Sequence, residues 1–296
     1  MPNFSLQYFN QRLSNTLIGT ILLILTYLFF SVMELTAKEL ALRFNPFLIV
    51  FARYLSQLIL LLIIFNKQFK THLKSNHKPL QIVRGALLMI TTCFMFTGLA
   101  YLQFAENISI YMIGPVITTI LAILILKEKI SFTQILVVII GLIGALIIAS
   151  PNKGAFNYAV IFPFLAALCF AFFTISTKFL NTSDSNQTTL LFTAITGTIL
   201  SLPFIIYFWK WPNLYDTLLM FCLGFLATAG HFLFIEALKV INASFAAPFV
   251  YLTVLLAAFW GYILYNEVPS QNTFIGAFLI ITSGFIITRF KKKNFK

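Results

Sequence analysis

Charged residues are scarce in this sequence. Only 9% of the 296 residues are Asp, Glu, Lys or Arg, and just 8 of them are acidic. Soluble domains carry about 25% charged residues. By contrast, 60% of the residues are hydrophobic, 35 are Phe, and the mean hydropathy is +0.94. A soluble fold of this size has too little interior to bury so many apolar side chains. The composition therefore excludes a soluble protein and indicates an integral membrane protein.

Metal ligands and nucleotide motifs are equally scarce. The three cysteines, Cys93, Cys169 and Cys222, lie far apart in apolar runs, which favours small buried hydrophobic residues over a disulfide or a metal site. The three histidines form no pair with HExxH spacing, and the sequence contains no GxxxxGK[ST] loop. We therefore expect no metal site, no cofactor and no ATP-binding site in this chain.

Long apolar runs dominate the rest of the chain. A membrane-spanning helix needs roughly 20 apolar residues. By that measure the candidate spans cover about 15–36, 46–65, 80–101, 105–126, 131–149, 158–179, 187–208, 215–238, 243–265 and 272–289. The connections are too short to form a separate domain. The sequence thus predicts an all-α integral membrane protein with ten transmembrane helices, the first of which is retained and not cleaved as a signal peptide.

The basic residues indicate an orientation. If the N-terminus is cytoplasmic, fifteen Lys and Arg, with Arg84 among them, fall at the cytoplasmic ends and four fall outside. This bias predicts that both termini are cytoplasmic. The net charge of +12 is then an orientation signal and not a nucleic-acid-binding face. The Phe, Ile, Asn and Lys bias fits an AT-rich genome and a bacterial inner membrane.

The sequence repeats itself at a nearly constant offset. ILILKEKISF (123–132) matches YILYNEVPSQ (262–271) at 139 residues, and FFSVMELTAK (29–38) matches CFAFFTISTK (169–178) at 140 residues. Each half would carry five spans, so the second half would enter the membrane inverted relative to the first. Inverted repeats are typical of secondary transporters, whose substrate site lies at the repeat interface.

We therefore expect one five-helix repeat at 1–151 and a second at 152–296. Four segments also resemble a known family: VFARYLSQLILL (50–61), VRGALLMITTCFMFTGLAYL (83–102), GPVITTILAILILKEKIS (114–131) and ASFAAPFVYLTVLLAAFWGYILYNEVPSQNTFIGA (243–277). They are similar to the drug/metabolite transporter superfamily, in its EamA-like (RhaT-like) branch. The resemblance implies ten helices around a central cavity and alternating access between the two halves.

The two halves differ in the proline pattern of this family. Pro115 stands thirteen residues before Glu128, as the family pattern requires, whereas Val254 occupies the matching position in the second half and Pro248 lies six residues earlier. The resulting APFVYL segment is similar to the branch that contains S-adenosylmethionine uptake transporters. We interpret Glu128 and its repeat counterpart Glu267 as braces for the loop into the next helix.

Polar residues inside the spans are the candidate substrate-binding residues. Tyr27, Ser31, Glu34 and Lys38 form one stripe on the first helix. A carboxylate facing lipid is costly, so we expect Glu34 to face the protein interior or the transport path, whereas Lys38 fits a headgroup contact better. Arg53 on the second helix lies at a similar depth, and we expect it to pair with Glu34. Such a pair is either a static tie between helices or an anchor for a substrate carboxylate or phosphate.

Five further residues complete the predicted site. Thr97 and Tyr101 share a stripe on the third helix, and Tyr111 and Tyr251 could stack on a flat or cationic ligand. His231 lies about mid-depth in the eighth span, where a hydrogen-bonded packing role competes with a role in proton transfer.

The sequence therefore predicts a secondary transporter of a small organic metabolite, with no catalytic residues. Uptake or exchange of S-adenosylmethionine or a similar nucleoside metabolite, and export of an amino acid or metabolite, both remain open. A membrane-embedded lipid-processing enzyme is disfavoured because the eight acidic residues are scattered singly. A non-transporting assembly subunit would not need the inverted repeat. The expected partners are a small-molecule substrate and the lipid bilayer, with a homodimer left open.

Overall fold

The fold is built from helices joined by short turns. A computed structural model describes residues 3–102, 104–149, 158–265 and 271–290, and within these ranges it contains no β-strand. The α-helices are α1 (Asn3–Ala41), α2 (Pro46–Phe65), α3 (Phe69–His72), α4 (Lys78–Tyr101), α5 (Phe104–Tyr111), α6 (Gly114–Leu124), α7 (Phe132–Ala149), α8 (Ile161–Leu180), α9 (Asn186–Phe208), α10 (Leu214–Val240), α11 (Ala243–Ala246), α12 (Leu252–Tyr265) and α13 (Gln271–Phe290).

Each of the ten predicted spans contains an apolar helix, but not every one of these helices is long enough to cross a membrane. Among the described residues, seven helical stretches are long and apolar enough to cross a membrane. They are Asn15–Ala41, Pro46–Phe65, Lys78–Gly98, Tyr158–Leu180, Asn186–Phe208, Leu214–Val240 and Ala243–Leu264. Three shorter apolar helices, Gly114–Leu124, Phe132–Ile147 and Phe274–Ser283, lie within the other predicted spans. An all-helical membrane protein is thus confirmed, whereas the count of ten crossings stays a prediction.

Two of the predicted spans are broken. The span at 105–126 divides into α5 and α6, and the span at 243–265 divides into α11, a 3-10 turn at Ala247–Tyr251, and α12. Pro115 lies in the first turn of α6 and Pro248 lies in the first turn of the 3-10 segment, where the missing N–H of proline costs no helical hydrogen bond. The helices that follow the breaks begin at Gly114 and Leu252. These positions agree with the repeat offset to within one residue, although the two prolines do not.

The two halves of the sequence are packed into each other. Helix α1 packs against α10, α2 against α9 and α10, α4 against α8 and α9, and α7 against α13. Gly224 permits the approach of α10 to α2, because a Cβ there would lie only 2.4 Å from the Cβ of Ser56. Each of these contacts brings a first-half helix against a second-half helix, so a cavity among α1, α2, α4, α8 and α10 lies at the interface between the two halves.

One end of the bundle is held by contacts between two loops. The Asp184 carboxylate accepts hydrogen bonds from the Ser75 hydroxyl (2.5 Å), the Asn76 backbone N–H (3.1 Å) and the Gln81 amide (2.8 Å). Burial alone would raise the pKa of Asp184, but these hydrogen bonds and the nearby His77 outweigh it, so that the pKa lies below its usual value. The ionised carboxylate therefore ties a first-half loop to a second-half loop.

Replacing Asp184 by Asn should lower the free energy of unfolding by about 1 kcal/mol at neutral pH, because a partly exposed charge-assisted network is lost. A carboxylate with a lowered pKa stabilises the fold above its unfolded-state pKa, and this stabilisation disappears as the pH falls through the lowered pKa. Melting temperatures measured between pH 7 and pH 3 should therefore fall less steeply for Asp184→Asn than for the wild type. Glu39→Gln, at a partly exposed surface pair, should keep the wild-type slope. If the melting temperature of Asp184→Asn fell with pH as steeply as that of the wild type, the stabilising role of the ionised Asp184 carboxylate would be contradicted.

Candidate functional site

A cavity of about 420 Å³ lies inside the helix bundle. This volume is in the range of small-molecule sites. Its walls come from both halves of the chain, since α1, α2, α4 and α5 face α8, α10 and the 3-10 turn across it. The polar and charged side chains in the wall are Glu34, Lys38, Arg53, Thr91, Thr92, Asn107, Tyr111, His231 and Thr253.

The cavity extends along the helices towards the turn between α1 and α2. It reaches the surface at the turn between α1 and α2, where Leu42 is 77% exposed, and we call this end the mouth. The floor contains Tyr27, Phe30 and Phe170, all buried. Along α1, Phe30 in the floor lies about 18 Å from Leu42 at the mouth. The opposite end of the bundle, which carries the Asp184 contacts, is called the closed end.

Arg53 is buried in the cavity wall without an acidic partner. Its Nη1 donates to the Thr92 hydroxyl (2.6 Å), its Nη2 lies 2.9 Å from His231 Nε2, and the side chain is 2% exposed. Because a guanidinium can only donate, His231 Nε2 must accept, which places the imidazole proton on Nδ1 and makes His231 neutral. Within the described ranges Arg53 forms no ion pair, and its Nε has no partner.

The expected ion pair between Glu34 and Arg53 is therefore wrong for this conformation. Both residues line the cavity, but the nitrogens of Arg53 are directed to Thr92 and His231. Glu34 likewise forms no ion pair with a residue that the structure describes. The cavity thus presents a carboxylate from α1 and a guanidinium from α2 to the same space.

The structure brings four of the seven predicted site residues to the cavity: Glu34, Arg53, Tyr111 and His231. Thr97 is not part of the lining, and Tyr101 is 67% exposed, with its ring stacked 6.3 Å from that of Phe162. Tyr251 is fully buried elsewhere: its hydroxyl donates to the Val138 carbonyl (3.1 Å), and its ring packs against Gly141 of α7. A substrate-binding role for the seven stays a prediction.

Other cavity residues were not predicted. Thr91, Thr92, Asn107 and Thr253 line the cavity but did not stand out in the sequence. On α4 the predicted stripe runs through Thr97 and Tyr101, whereas the lining residues Thr92 and Phe96 belong to a stripe one position earlier, about 100° round the helix. No group of three or more His, Cys, Asp or Glu in the described part of the chain could hold a metal ion.

Arg84 could have indicated the correct face of α4. It precedes Thr92 by two helical turns, and the spacing 84, 88, 92 runs along one face. The side chain is fully buried and its Nε donates to the Thr177 hydroxyl (2.7 Å), so Arg84 is a buried helix residue and not an exposed charge. Its place at the cytoplasmic end of the helix stays a prediction. The helix α4 begins at Lys78, which places Arg84 inside the helix, as the predicted span 80–101 also does.

Glu128 joins the two halves at the closed end. Its carboxylate accepts from the backbone N–H groups of Ala243 (3.0 Å) and Ser244 (3.1 Å) and from the Ser244 hydroxyl (2.5 Å). The expected brace for its own loop is therefore corrected to a contact with the start of α11. Lys178 completes this end by donating to the carbonyls of Leu238 and Ile241, both at 2.6 Å. Glu267 lies outside the described residues.

Comparison with known proteins gives a consistent result. The model of the EamA-like transporter family matches residues 17–150 and again residues 157–289. The chain is 28% identical to an S-adenosylmethionine uptake transporter of Rickettsia prowazekii (strain Madrid E), covering 96% of this chain and 97% of that protein. It is also 28% identical to a riboflavin transporter of Vibrio cholerae serotype O1, covering 72% of each chain.

A solved crystal structure shares the fold. It aligns with a TM-score of 0.78 at 16% identity, covering 92% of this chain and 96% of the other. At this identity the likeness shows the fold alone. Together with the apolar helices, the transporter relatives identify a multi-pass inner-membrane protein that moves a small metabolite and is not an enzyme. The chain belongs to the EamA-like transporter family, within the drug/metabolite transporter superfamily, and is a secondary transporter.

Proposed function

We propose that this protein takes up a small metabolite that carries both a carboxylate and a cationic centre, with S-adenosylmethionine as the first candidate. The observation that carries the proposal is a cavity whose wall contains both Glu34 and buried Arg53, which has no acidic partner among the described residues. Intramembrane charges are costly and mark substrate pathways. An amino-acid moiety would place its carboxylate at Arg53 and its ammonium or sulfonium towards Glu34.

The aromatic lining supports the same class of substrate. Tyr27, Phe30, Tyr111 and Phe170 contribute rings to the cavity. Aromatic faces attract cations such as a sulfonium and stack on flat ring systems such as a nucleobase. The uptake transporters of four Rickettsia species, at 28–29% identity over 96% of this chain, favour S-adenosylmethionine over other metabolites with these features.

The proposal includes a membrane arrangement. Ten helices would form two inverted five-helix repeats, 1–151 and 152–296, with both termini in the cytoplasm. The double family match, the three shorter apolar helices and the corresponding breaks at Gly114 and Leu252 support it. The mouth then faces outward and the closed end faces the cytoplasm, so this conformation is the outward-open state of the alternating-access cycle. A homodimer is compatible with the proposal, because the cavity lies within one chain.

Binding and exchange of defined substrates test the proposal. Purified protein should show an increased melting temperature with S-adenosylmethionine, and in proteoliposomes this compound should drive counterflow of its radiolabelled form. S-adenosylhomocysteine, which lacks the sulfonium charge, and decarboxylated S-adenosylmethionine, which lacks the carboxylate, should each bind at least about 10-fold more weakly, because one charge-assisted contact is lost.

The alternatives give different results. Preferential counterflow of riboflavin, or of an amino acid without a cationic side group, with S-adenosylmethionine inert, would overturn the proposal. Equal affinity for the decarboxylated compound would remove Arg53 as the carboxylate site. Substrate efflux from cells without uptake would indicate an exporter.

A further inference from the structure

A second buried arginine lies between the cavity floor and the closed end. Arg84 is on α4, about 12 Å nearer the closed end than Thr92, and its side chain is fully buried. Its Nε donates to the Thr177 hydroxyl (2.7 Å), and its Nη1 donates to the Thr193 hydroxyl and more weakly to the Thr189 carbonyl (3.4 Å). Its Nη2 has no partner, and no described residue forms an ion pair with it.

The Phe173 ring lies between Arg84 and the cavity residue His231. The Arg84 guanidinium carbon lies 4.4 Å from the centre of the Phe173 ring, and the Phe173 ring lies 5.7 Å from the His231 ring. His231 in turn contacts Arg53. The order from the mouth towards the closed end is therefore Arg53, His231, Phe173 and Arg84, with Phe173 fully buried between the two arginines.

Polar groups continue from Arg84 towards the closed end. The Gln81 amide donates to the Thr189 hydroxyl (3.1 Å) and to Asp184 in the loop (2.8 Å). Thr189 also supplies the carbonyl that faces Arg84. A line of hydroxyl and amide groups thus connects the buried guanidinium to the loops of the closed end, through a bundle that is otherwise mostly apolar.

We propose that Arg84 is a second binding site for the anionic group of the substrate, occupied when the closed end opens. The carboxylate leaves Arg53, passes the Phe173 ring and binds Arg84 before it is released. This inference rests on the proposed function, because it requires a substrate with an anionic group. A guanidinium held only by neutral groups keeps its full charge for an arriving anion, and the free Nη2 is available as a donor. A tie between α4, α8 and α9 alone would not need a charge.

Affinities measured separately on the two sides of the membrane test this site. Arg84→Gln should leave the half-saturation concentration for uptake into intact cells within about threefold of wild type, since Arg53 holds the substrate in the outward-open state. In inside-out vesicles, where the substrate enters from the closed end, the half-saturation concentration should rise at least about 10-fold. Arg84→Lys, which keeps the charge but loses the planar fork, should give a smaller rise on that side. The probe is the carboxylate substrate that the wild type exchanges.

The outcomes separate the two proposals. If the wild type exchanges no carboxylate-bearing metabolite, the proposed function fails. Suppose that the wild type does exchange one. The second site is then overturned if the half-saturation concentrations of Arg84→Gln are those of the wild type on both sides of the membrane. It is also overturned if they change equally on both sides and the melting temperature is lower, because Arg84 is then a structural tie. If Arg84→Gln does not reach the membrane, the same comparison with Arg84→Lys decides, because a side-specific rise supports the site and a symmetric effect refutes it.

Discussion

Cells that carry Arg53→Ala should take up the substrate at least about 30-fold more slowly than cells with the wild-type protein. Arg53 is 2% exposed, and among the described residues its guanidinium donates to Thr92 and His231 and lies over the Tyr54 ring, all three neutral. A bound carboxylate would therefore be its single anionic partner, and loss of one member of a buried charge pair costs about 2–5 kcal/mol. The measurement is initial uptake of radiolabelled substrate, normalised to protein in the membrane.

A conservative change separates charge from geometry at this position. Arg53→Lys keeps the positive charge but cannot contact Thr92, His231 and the substrate together, so we expect a loss of roughly 10-fold. Lys239→Gln is the matched control, because it removes an exposed positive charge that pairs with Glu236 (3.3 Å) and lies outside the cavity; uptake should stay within twofold of wild type. Wild-type uptake by Arg53→Ala at a wild-type protein level would exclude the carboxylate site.

The charged residues of the site could be predicted from the sequence, and their contacts could not. Glu34 and Arg53 stand out because the membrane interior disfavours charge, and both line the cavity. Periodicity gives the face of one helix but not its rotation against a neighbour, so it could not show that Arg53 contacts His231, 178 positions later in the sequence. The partner of a buried charge is set by packing between the two halves.

Threonine and tyrosine residues indicate a substrate site less clearly than charged residues do, because their hydroxyl groups can be satisfied by the backbone. The Thr92 hydroxyl also donates to the Leu88 carbonyl one turn earlier (2.9 Å), a contact that would satisfy it equally well on a lipid-facing surface. Tyr251 satisfies its hydroxyl on the backbone of α7, so that a tyrosine in an apolar span marks a helix contact as readily as a substrate site. Residues of these types are informative only after the helix rotations are known.

The break positions show a similar limit. Pro115 and Pro248 do not match under the repeat offset, although the helices that follow the breaks do. Pro115 lies in the first turn of α6, whereas Pro248 lies in the 3-10 turn before α12, so a proline marks a break without locating the start of the next helix. The two breaks place Tyr111 and Val250, which are 139 residues apart, in the wall of the same cavity. Their correspondence supports a substrate site at the repeat interface.

Glu128→Gln should open the closed end. The carboxylate of Glu128, which follows α6 in the chain, accepts three hydrogen bonds from Ala243 and Ser244 at the start of α11. A glutamine offers one acceptor oxygen and turns an N–H donor towards the remaining donors, so part of this contact becomes repulsive. Since the Asp184 and Lys178 contacts remain, we expect a shift of about 1.4–2.8 kcal/mol, or 10- to 100-fold in the ratio of outward-open to inward-open protein.

Two measurements detect this shift. The apparent affinity for external substrate should fall in proportion to the fraction of outward-open protein, because only that state exposes the mouth. The second measurement uses Leu238→Cys in a protein whose three native cysteines have been replaced, because Leu238 is fully buried beside the closed end. The introduced thiol should react with a maleimide several-fold faster when Glu128→Gln is also present than when it is absent. Glu236→Gln is the control, because Glu236 contacts Asn186 and Lys239 within the second half and does not join the halves. Equal labelling rates in the two variants would show that Glu128 does not hold the closed end, and opening would then have to depend on Asp184 and Lys178.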